Sequence, residues 1–538
     1  MRLNLEEAAA GMGCATAIPY GRDFAAAPWA GFVPNGAAVD SRLVKAGDIF
    51  FCLKGKNADG HAFAPDAASA GACAVVAQHD PFAAQGTHPG HDRGPLPVFL
   101  TPDVEAAMLR LAACHRQSAS ARVVGITGTA GKTSVKDSLF AALAKNRRTE
   151  RSRGNFNNQI GLPLSLLNAS ADAEFWVMEA GISRTGDMEA LAGILRPDLA
   201  LILNVGEGHL EGLGEGGVAA QKCLLLDYIR PGGTAVVSCD YPELGRECAA
   251  RGRVFADKGV TCRTFSVKDA KAFCFAEYLG AAGPMRGRYR VRIAGDEEEI
   301  DAPFAGAYGA ENTAAVVAAA VCLGIGLDEV KNGLNSALPP PGRFTLERHG
   351  AFTLIDDSYN SNPLSAERML RAAADVAREA GLPLVLVLGE MLELGAKSAA
   401  AHERLGALAA AAEPELIFWK GGQEESLRRG LQKGGYRGTT RPLRADSGPD
   451  PAQWDALPPG AVVLFKGSRA CRLDEAAQTL RLRLERVDLE NADPLRKDLP
   501  GKSLSLDACG RASPSVEKAS QALNAPADPE GLAKTRSG

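Results

Sequence analysis

The run Thr127-Gly128-Thr129-Ala130-Gly131-Lys132-Thr133-Ser134 is where residue types and spacing point most directly to chemistry. Its glycines let the backbone turn tightly and aim N–H groups at one point. A helix starting at the end of the run adds positive potential there, and both features favour phosphate. The Lys132 ammonium would neutralise β- and γ-phosphates, and the Thr133 hydroxyl would ligate Mg2+. The run is a variant of G-x-x-x-x-G-K-[ST], because Ile126 stands five residues before Gly131 and the other glycines are at 125 and 128.

A bound triphosphate calls for a metal, and the metal for further oxygen ligands near strand ends. Glu179 closes an apolar strand just before Ala180-Gly181, at the carboxyl edge of a sheet where α/β folds bind ligands. His209 follows the apolar run Leu201–Asn204 by a short Gly-containing turn, within reach of the same crevice. Lys222 belongs to the helix after it. Taken singly, each also suits a plainer role: a solvated strand-end acid, a loop histidine and a surface charge.

Strands and helices in alternation would position these groups. The apolar strand Arg122–Thr127 precedes the loop, and a helix from about Thr133 to Lys145 follows it. Further strands are expected at Phe175–Glu179, Leu199–Asn204 and Thr234–Ser238, with helices between them. This alternation predicts a parallel sheet covered on both faces. Ala310 to Leu323, rich in Ala and Val, predicts a buried helix near the end of that block. Leu338-Pro339-Pro340-Pro341-Gly342 then breaks the pattern, since three prolines cannot continue a helix. The alternation restarts with strands at 352–356, 384–389, 416–419 and 461–465. Ahead of the central block, residues 39–42, 48–53 and 74–77 read as short extended segments, 80–97 as a surface loop and 104–118 as an amphipathic helix. The expected domains are 1–118, 119–341 and 342–487. Residues 488–538, poor in large apolar side chains, read as a disordered tail.

Composition bounds the function class. The 538 residues suggest roughly three or four folded units. Lys+Arg 60 against Asp+Glu 64 leaves a net charge of −4, which provides no basic field for general nucleic-acid binding. The 12 cysteines are scattered without a CxxC pair, which argues against a disulfide scaffold or structural zinc and for thiols in a reducing compartment. The first residues include Glu6 and Glu7 where a signal peptide needs an apolar run, and the longest uncharged apolar stretch, Ala314 to Leu327, is shorter than the ~20 residues of a membrane helix. The expectation is a cytoplasmic protein without membrane insertion.

Several runs occur together in a fixed order. After the phosphate loop come Gly154-Asn155-Phe156-Asn157-Asn158-Gln159-Ile160-Gly161, Glu179-Ala180-Gly181, Arg196-Pro197-Asp198, Asn204-Val205-Gly206, His209-Leu210-Glu211 and Lys222. In this order the central block resembles the ATPase domain of the Mur ligases, ATP-dependent enzymes that add amino acids to the peptidoglycan stem. Asp40-Ser41-Arg42, Gly47-Asp48-Ile49-Phe50 and Asp59-Gly60-His61 are similar to that family's uridine-nucleotide-binding domain. Asp356-Asp357-Ser358-Tyr359-Asn360-Ser361-Asn362-Pro363, Gly389-Glu390-Met391 and Lys466-Gly467-Ser468-Arg469 are similar to the C-terminal domain of its D-alanyl-D-alanine-adding branch. The Asp-Asn-Pro-Arg run of the diaminopimelate-adding branch appears nowhere.

The resemblance implies an α/β fold of three domains: a small N-terminal α/β domain, a central P-loop ATPase on a parallel sheet, and a Rossmann-like C-terminal domain. It implies a monomeric ligase of peptidoglycan precursor synthesis, joining D-alanyl-D-alanine to UDP-N-acetylmuramoyl-tripeptide through an acyl phosphate with release of ADP and phosphate. ATP and Mg2+ are the implied cofactors. By the same resemblance Thr133 and Glu179 hold one Mg2+, and His209 and a carbamylated Lys222 hold a second. Asn312, Arg343, Asp357 and Asn360 join the loop around the nucleotide. Asp40, Ser41 and Arg42 are assigned to the UDP-sugar, Tyr359 and Lys466 to the dipeptide pocket, and Asn157 and Asn158 to substrate binding. Two runs depart from the family pattern. Gly306-Ala307-Tyr308-Gly309-Ala310-Glu311-Asn312 keeps only the first Gly and last Asn of Gly-x-His-Asn-x-x-Asn, and Cys223-Leu224 stands where the family has Gly-Glu. The alternatives are a MurE-like, folylpolyglutamate or cyanophycin-type ligase, and a nucleotide-binding protein without catalysis.

Overall fold

The computed structural model describes residues 1–492 apart from 15–16, 22–23, 56–57, 87, 207–216, 284 and 444–450. Residues 493–538, most of the expected tail, lie outside the described residues, as does His209. Met1–Leu484 form one compact unit, and a second begins at Glu485. Among the described residues no helix is long and apolar enough to cross a membrane.

The central sheet has nine strands. From one edge they are Asp296–Ala302, Arg286–Ile293, Cys274–Gly283, Thr261–Ser266, Thr234–Ser238, Leu199–Ile202, Arg122–Thr127, Phe175–Glu179 and Thr149–Arg151. The six from Thr261–Ser266 onward are parallel, as the unbroken apolar runs predict. At the other edge Cys274–Gly283, parallel to Thr261–Ser266, begins an antiparallel meander with Arg286–Ile293 and Asp296–Ala302. Gly287, Tyr289, Val291 and Ile293 face the core while Arg288 and Arg292 are exposed, the period-two pattern of a sheet solvated on one side. Helix Gly309–Cys322 covers this sheet, with every residue from Gly309 to Ala320 buried. It packs against Val124, Ile126, Leu201 and Val236, and its small side chains allow the close approach.

The N-terminal sheet runs Ala17–Ile18, Val98–Leu100, Ala74–Ala77, Asp48–Phe51, Gly36–Ala38. Residues 39–42 are not an extended segment as expected. The strand ends at Ala38, and Ser41–Leu43 form a 3-10 turn because the Asp40 carboxylate accepts from the Arg42 N–H at 3.0 Å. The stretch 80–97 is not merely a surface loop either, since Phe82 and Leu96 are fully buried anchors.

The C-terminal sheet runs Thr345–His349, Phe352–Asp357, Val462–Lys466, Leu384–Gly389, Leu416–Lys420, Thr439–Pro442, parallel except for its first strand. Its last helix is Leu473–Ala492.

Helix Val104–Ser118 packs on both Leu5–Met12 and Gly161–Leu167, and one apolar cluster extends from Leu5 and Phe51 through Met108 and Leu111 to Trp176 and Met188. The first two domains therefore share a core. His115 of this helix lies in it, its Nε2 3.2 Å from the Ala169 carbonyl and its ring against Trp176. Burial holds the His115 pKa at about 4, against 6.5 unfolded. The unfolded chain thus binds more protons between those values, so this histidine's contribution to stability is complete above pH 6.5 and declines as pH falls toward 4. Going from pH 7 to pH 5 is expected to cost the wild type about 2 kcal/mol more than the His115→Gln variant, from urea unfolding. Equal losses in the two proteins would refute this.

Candidate active site

The phosphate loop connects strand Arg122–Thr127 to helix Lys132–Ala144. Gly131 takes a left-handed φ of 84° at the helix start, and a Cβ there would lie 2.6 Å from Asn312 Oδ1. Only glycine satisfies both constraints. Lys132 Nζ donates to the Gly128 carbonyl at 2.8 Å, folding the side chain back over the loop. Crowding by protein atoms lowers its pKa, opposed by Glu179.

Thr133 Oγ1 donates to Glu179 Oε2 at 2.9 Å, and Asn157 Nδ2 donates to Glu179 Oε1 at 2.7 Å. Two oxygens bound to one Mg2+ at neighbouring octahedral positions, each at ~2.0–2.1 Å, lie about 2.9 Å apart. The Thr133–Glu179 pair has that spacing, and both are hard donors, so these residues fit the ion. Among the described residues no group of three His, Cys, Asp or Glu could hold a metal.

Two residues to which sequence reasoning gave no role shape this region. Lys136, fully buried one turn after Lys132, donates to the Ser152 and Gly154 carbonyls at 2.7 and 2.9 Å, which pins the segment carrying Asn157. Its signal was a second lysine on the same face of the helix. Asn204 Oδ1 accepts the N–H groups of Thr129 (3.1 Å) and Ala130 (2.8 Å). The strand ends at Ile202, and Asn204, expected as its last residue, instead braces the loop. A polar residue closing the apolar run Leu201-Ile202-Leu203 was its trace in the sequence. The N–H groups of 129 and 130 are thus engaged, and the helix-start N–H groups from Gly131 to Ser134 remain as phosphate donors.

From the C-terminal lobe, Asp357 Oδ2 pairs with Lys466 Nζ at 2.7 Å and Asp357 Oδ1 accepts the Phe344 N–H at 3.0 Å. Burial pushes the Asp357 pKa up and the Lys466 pKa down, each opposed by the other's charge. Lys466 also donates to the Asn360 carbonyl. The Arg343 guanidinium lies 4.3 Å over the Tyr359 ring.

These groups meet at a cavity of about 660 Å³. Its lining includes Thr129 to Ser134, Asn157, Asn158 and Glu179 from one side, with Arg343, Asp357, Tyr359, Asn360 and Lys466 from the other. Asn312 lines it too, its buried Oδ1 lacking a hydrogen-bond partner among the described residues. Gly128 is not part of the lining, and a Cβ there would lie 2.9 Å from the Leu203 Cβ. Lys222 is buried on helix Gly217–Asp227 and is not part of the lining. Asp40, Ser41 and Arg42 are not part of it either, and the largely exposed Arg42 pairs with Asp40. The departure at 308–309 has a local explanation. Tyr289 Oη lies 2.7 and 2.9 Å from the Phe304 and Gly306 carbonyl oxygens, which share its one proton, and a Cβ at Gly309 would lie 2.1 Å from it.

The chain matches the Mur ligase family catalytic domain over residues 35–116, the Mur ligase middle domain over 126–320, and the Mur ligase glutamate ligase domain over 342–469. It is 33% identical to the UDP-N-acetylmuramoyl-tripeptide–D-alanyl-D-alanine ligase of Synechocystis sp., across 69% of this chain and 76% of that one. It is similar to the crystal structure of MurF from Acinetobacter baumannii, with a TM-score of 0.69 and 27% identity over 84% of this chain and 93% of that one. It is also similar to MurF from Thermotoga maritima in complex with ADP, with a TM-score of 0.68 and 25% identity over 84% and 98%.

Proposed function

The chain belongs to the Mur ligase family, and on that premise we propose that it uses ATP to join D-alanyl-D-alanine to UDP-N-acetylmuramoyl-tripeptide, as a cytoplasmic monomer making peptidoglycan precursor. The observation that carries this reading is the single cavity where the phosphate loop faces Arg343, Asp357 and Lys466 of the C-terminal lobe. The likeness to D-alanyl-D-alanine ligases in sequence and in structure supports the choice of substrates.

The chemical problem is charge, because a carboxylate must approach a polyanionic triphosphate. The N–H groups from Gly131 to Ser134 and the Lys132 ammonium take the phosphate charge, without reorganisation at the moment of reaction. Thr133 and Glu179 would hold Mg2+, which supplies further charge neutralisation when bound. His209 and a carbamylated Lys222 are proposed for a second ion. Asn157 fixes the rotamer of Glu179. Arg343 and Asn312 flank the nucleotide, and Asp357 and Asn360 reach it from the facing lobe. Asn158, Tyr359 and Lys466 serve the peptide ends, and Asp40, Ser41 and Arg42 the uridine nucleotide. Closure of the lobes keeps water from the acyl phosphate before the amine attacks.

A phosphate-release panel tests this. UDP-N-acetylmuramoyl-tripeptide with D-alanyl-D-alanine is expected to stimulate release strongly, and the same acid with diaminopimelate, lysine or glutamate to leave it at background. Stimulation by one of those amines alone would move the chain to another branch of the family.

A further inference from the structure

Glu311 has no part in the chemistry above, yet it is buried and receives hydrogen bonds from three separate elements. Asn204 Nδ2 donates to it at 2.9 Å, the Tyr241 hydroxyl at 2.8 Å, and Arg368 Nη2 at 2.7 Å. Arg368 belongs to helix Pro363–Ala380 of the C-terminal lobe, while Glu311 belongs to the buried helix of the central domain. The other end of the Asn204 amide accepts the Thr129 and Ala130 N–H groups. An unbroken chain of hydrogen bonds therefore runs from the C-terminal lobe to the phosphate loop. A second tie lies beside it, where Asn362, capping the helix of Arg368, donates to the Thr129 carbonyl at 3.3 Å.

We propose that Arg368 and Glu311 form an interlobe latch that sets the phosphate loop through Asn204, so that nucleotide affinity depends on the C-terminal lobe being docked. Two physical points carry it. A carboxylate only accepts hydrogen bonds, so Glu311 acts together with the loop, whose 129 and 130 N–H groups hold Oδ1 and whose Ala130 carbonyl accepts from Nδ2 at 3.1 Å, to keep the Asn204 amide with Nδ2 toward Glu311. A buried carboxylate that loses its cationic partner is strongly disfavoured, so undocking the lobe removes the condition that keeps Glu311, and hence Asn204, in place. Glu311 is a positioning residue, acting on the nucleotide only through the loop, whereas Arg368 also lines the cavity, so Glu311→Gln, which leaves Arg368 in place, isolates the effect of the loop. The inference rests on reading 127–134 as a triphosphate site.

The test uses the full chain, with ADP as the probe in calorimetry and thermal midpoints recorded without nucleotide. Glu311→Gln keeps size and shape but can offer either an acceptor or a donor to Asn204. It is expected to weaken ADP binding about tenfold and to raise KM for ATP similarly, with kcat at saturating ATP within about twofold of wild type. The double variant Glu311→Leu/Arg368→Leu removes both charges and refills the space, so it is expected to melt near the wild type while still binding ADP about tenfold more weakly. Wild-type ADP affinity in that double variant would show the pair to be packing alone and overturn the latch. If the double variant does not fold, Glu311→Gln decides, and unchanged ADP affinity there overturns it equally. A wild-type chain that binds no ADP would overturn the triphosphate reading as well, whereas normal ADP binding with no response to the substrate panel would leave the latch standing and remove only the proposed substrates.

Discussion

Lys132→Ala is expected to lower kcat/KM for ATP by about 10³-fold, roughly 4 kcal/mol of transition-state stabilisation. The Lys132 ammonium folds over the Gly128 carbonyl in the wall of the cavity, where it is the cation nearest the loop. Removing it leaves the phosphates without the loop's own cation. The loop itself is expected to persist, because Asn204 braces it and Gly131 starts its helix independently of Lys132. Thermal stability close to wild type should therefore accompany the loss. Steady-state phosphate release checks it, and a variant within tenfold of wild type would refute the assignment of the loop.

The second large effect is expected at Lys222. Its ammonium is buried, and desolvation, with the charge of Lys132 next, lowers its pKa well below the usual lysine value. The neutral amine is the form that can add carbon dioxide, so the setting favours the carbamate proposed for it. Carbamylation replaces a cation that would repel Mg2+ with a carboxylate-like oxygen donor. Lys222→Ala should lower kcat by about 10²–10³-fold. Short carboxylates such as formate or acetate should restore part of that activity by filling the vacated space with an anion. A Lys222→Ala enzyme indifferent to carboxylates would reject the carbamate while leaving the phosphate loop untouched.

Much of this site was legible because its strands are buried on both faces and its loop has a fixed grammar. Arg122–Thr127, Phe175–Glu179 and helix Val104–Ser118 have the boundaries that their apolar runs predict. The meander of 274–302 was missed because its core residues alternate with arginines and acids, which looks polar unless read with period two. The turn at 41–43 was missed because one side-chain hydrogen bond from Asp40 outweighs the β-propensity of its neighbours. Glu311 and Arg368 could not be paired from sequence, since each looks like an ordinary charge on a helix. What joins them is packing between lobes, which no local pattern encodes.

The Tyr289 hydroxyl, held between two carbonyls, also governs which exchanges the chain can accept. Any side chain at 309, such as the amide of the Gly-x-His-Asn-x-x-Asn pattern, would place its Cβ 2.1 Å from the Tyr289 hydroxyl and 2.5 Å from the Phe304 Cβ. Shortening residue 289 alone would leave a void and two buried carbonyls bereft of their donor. The two sites thus form an interlocked couple, and an engineer grafting the usual motif here must rewrite a strand of the meander in the same step.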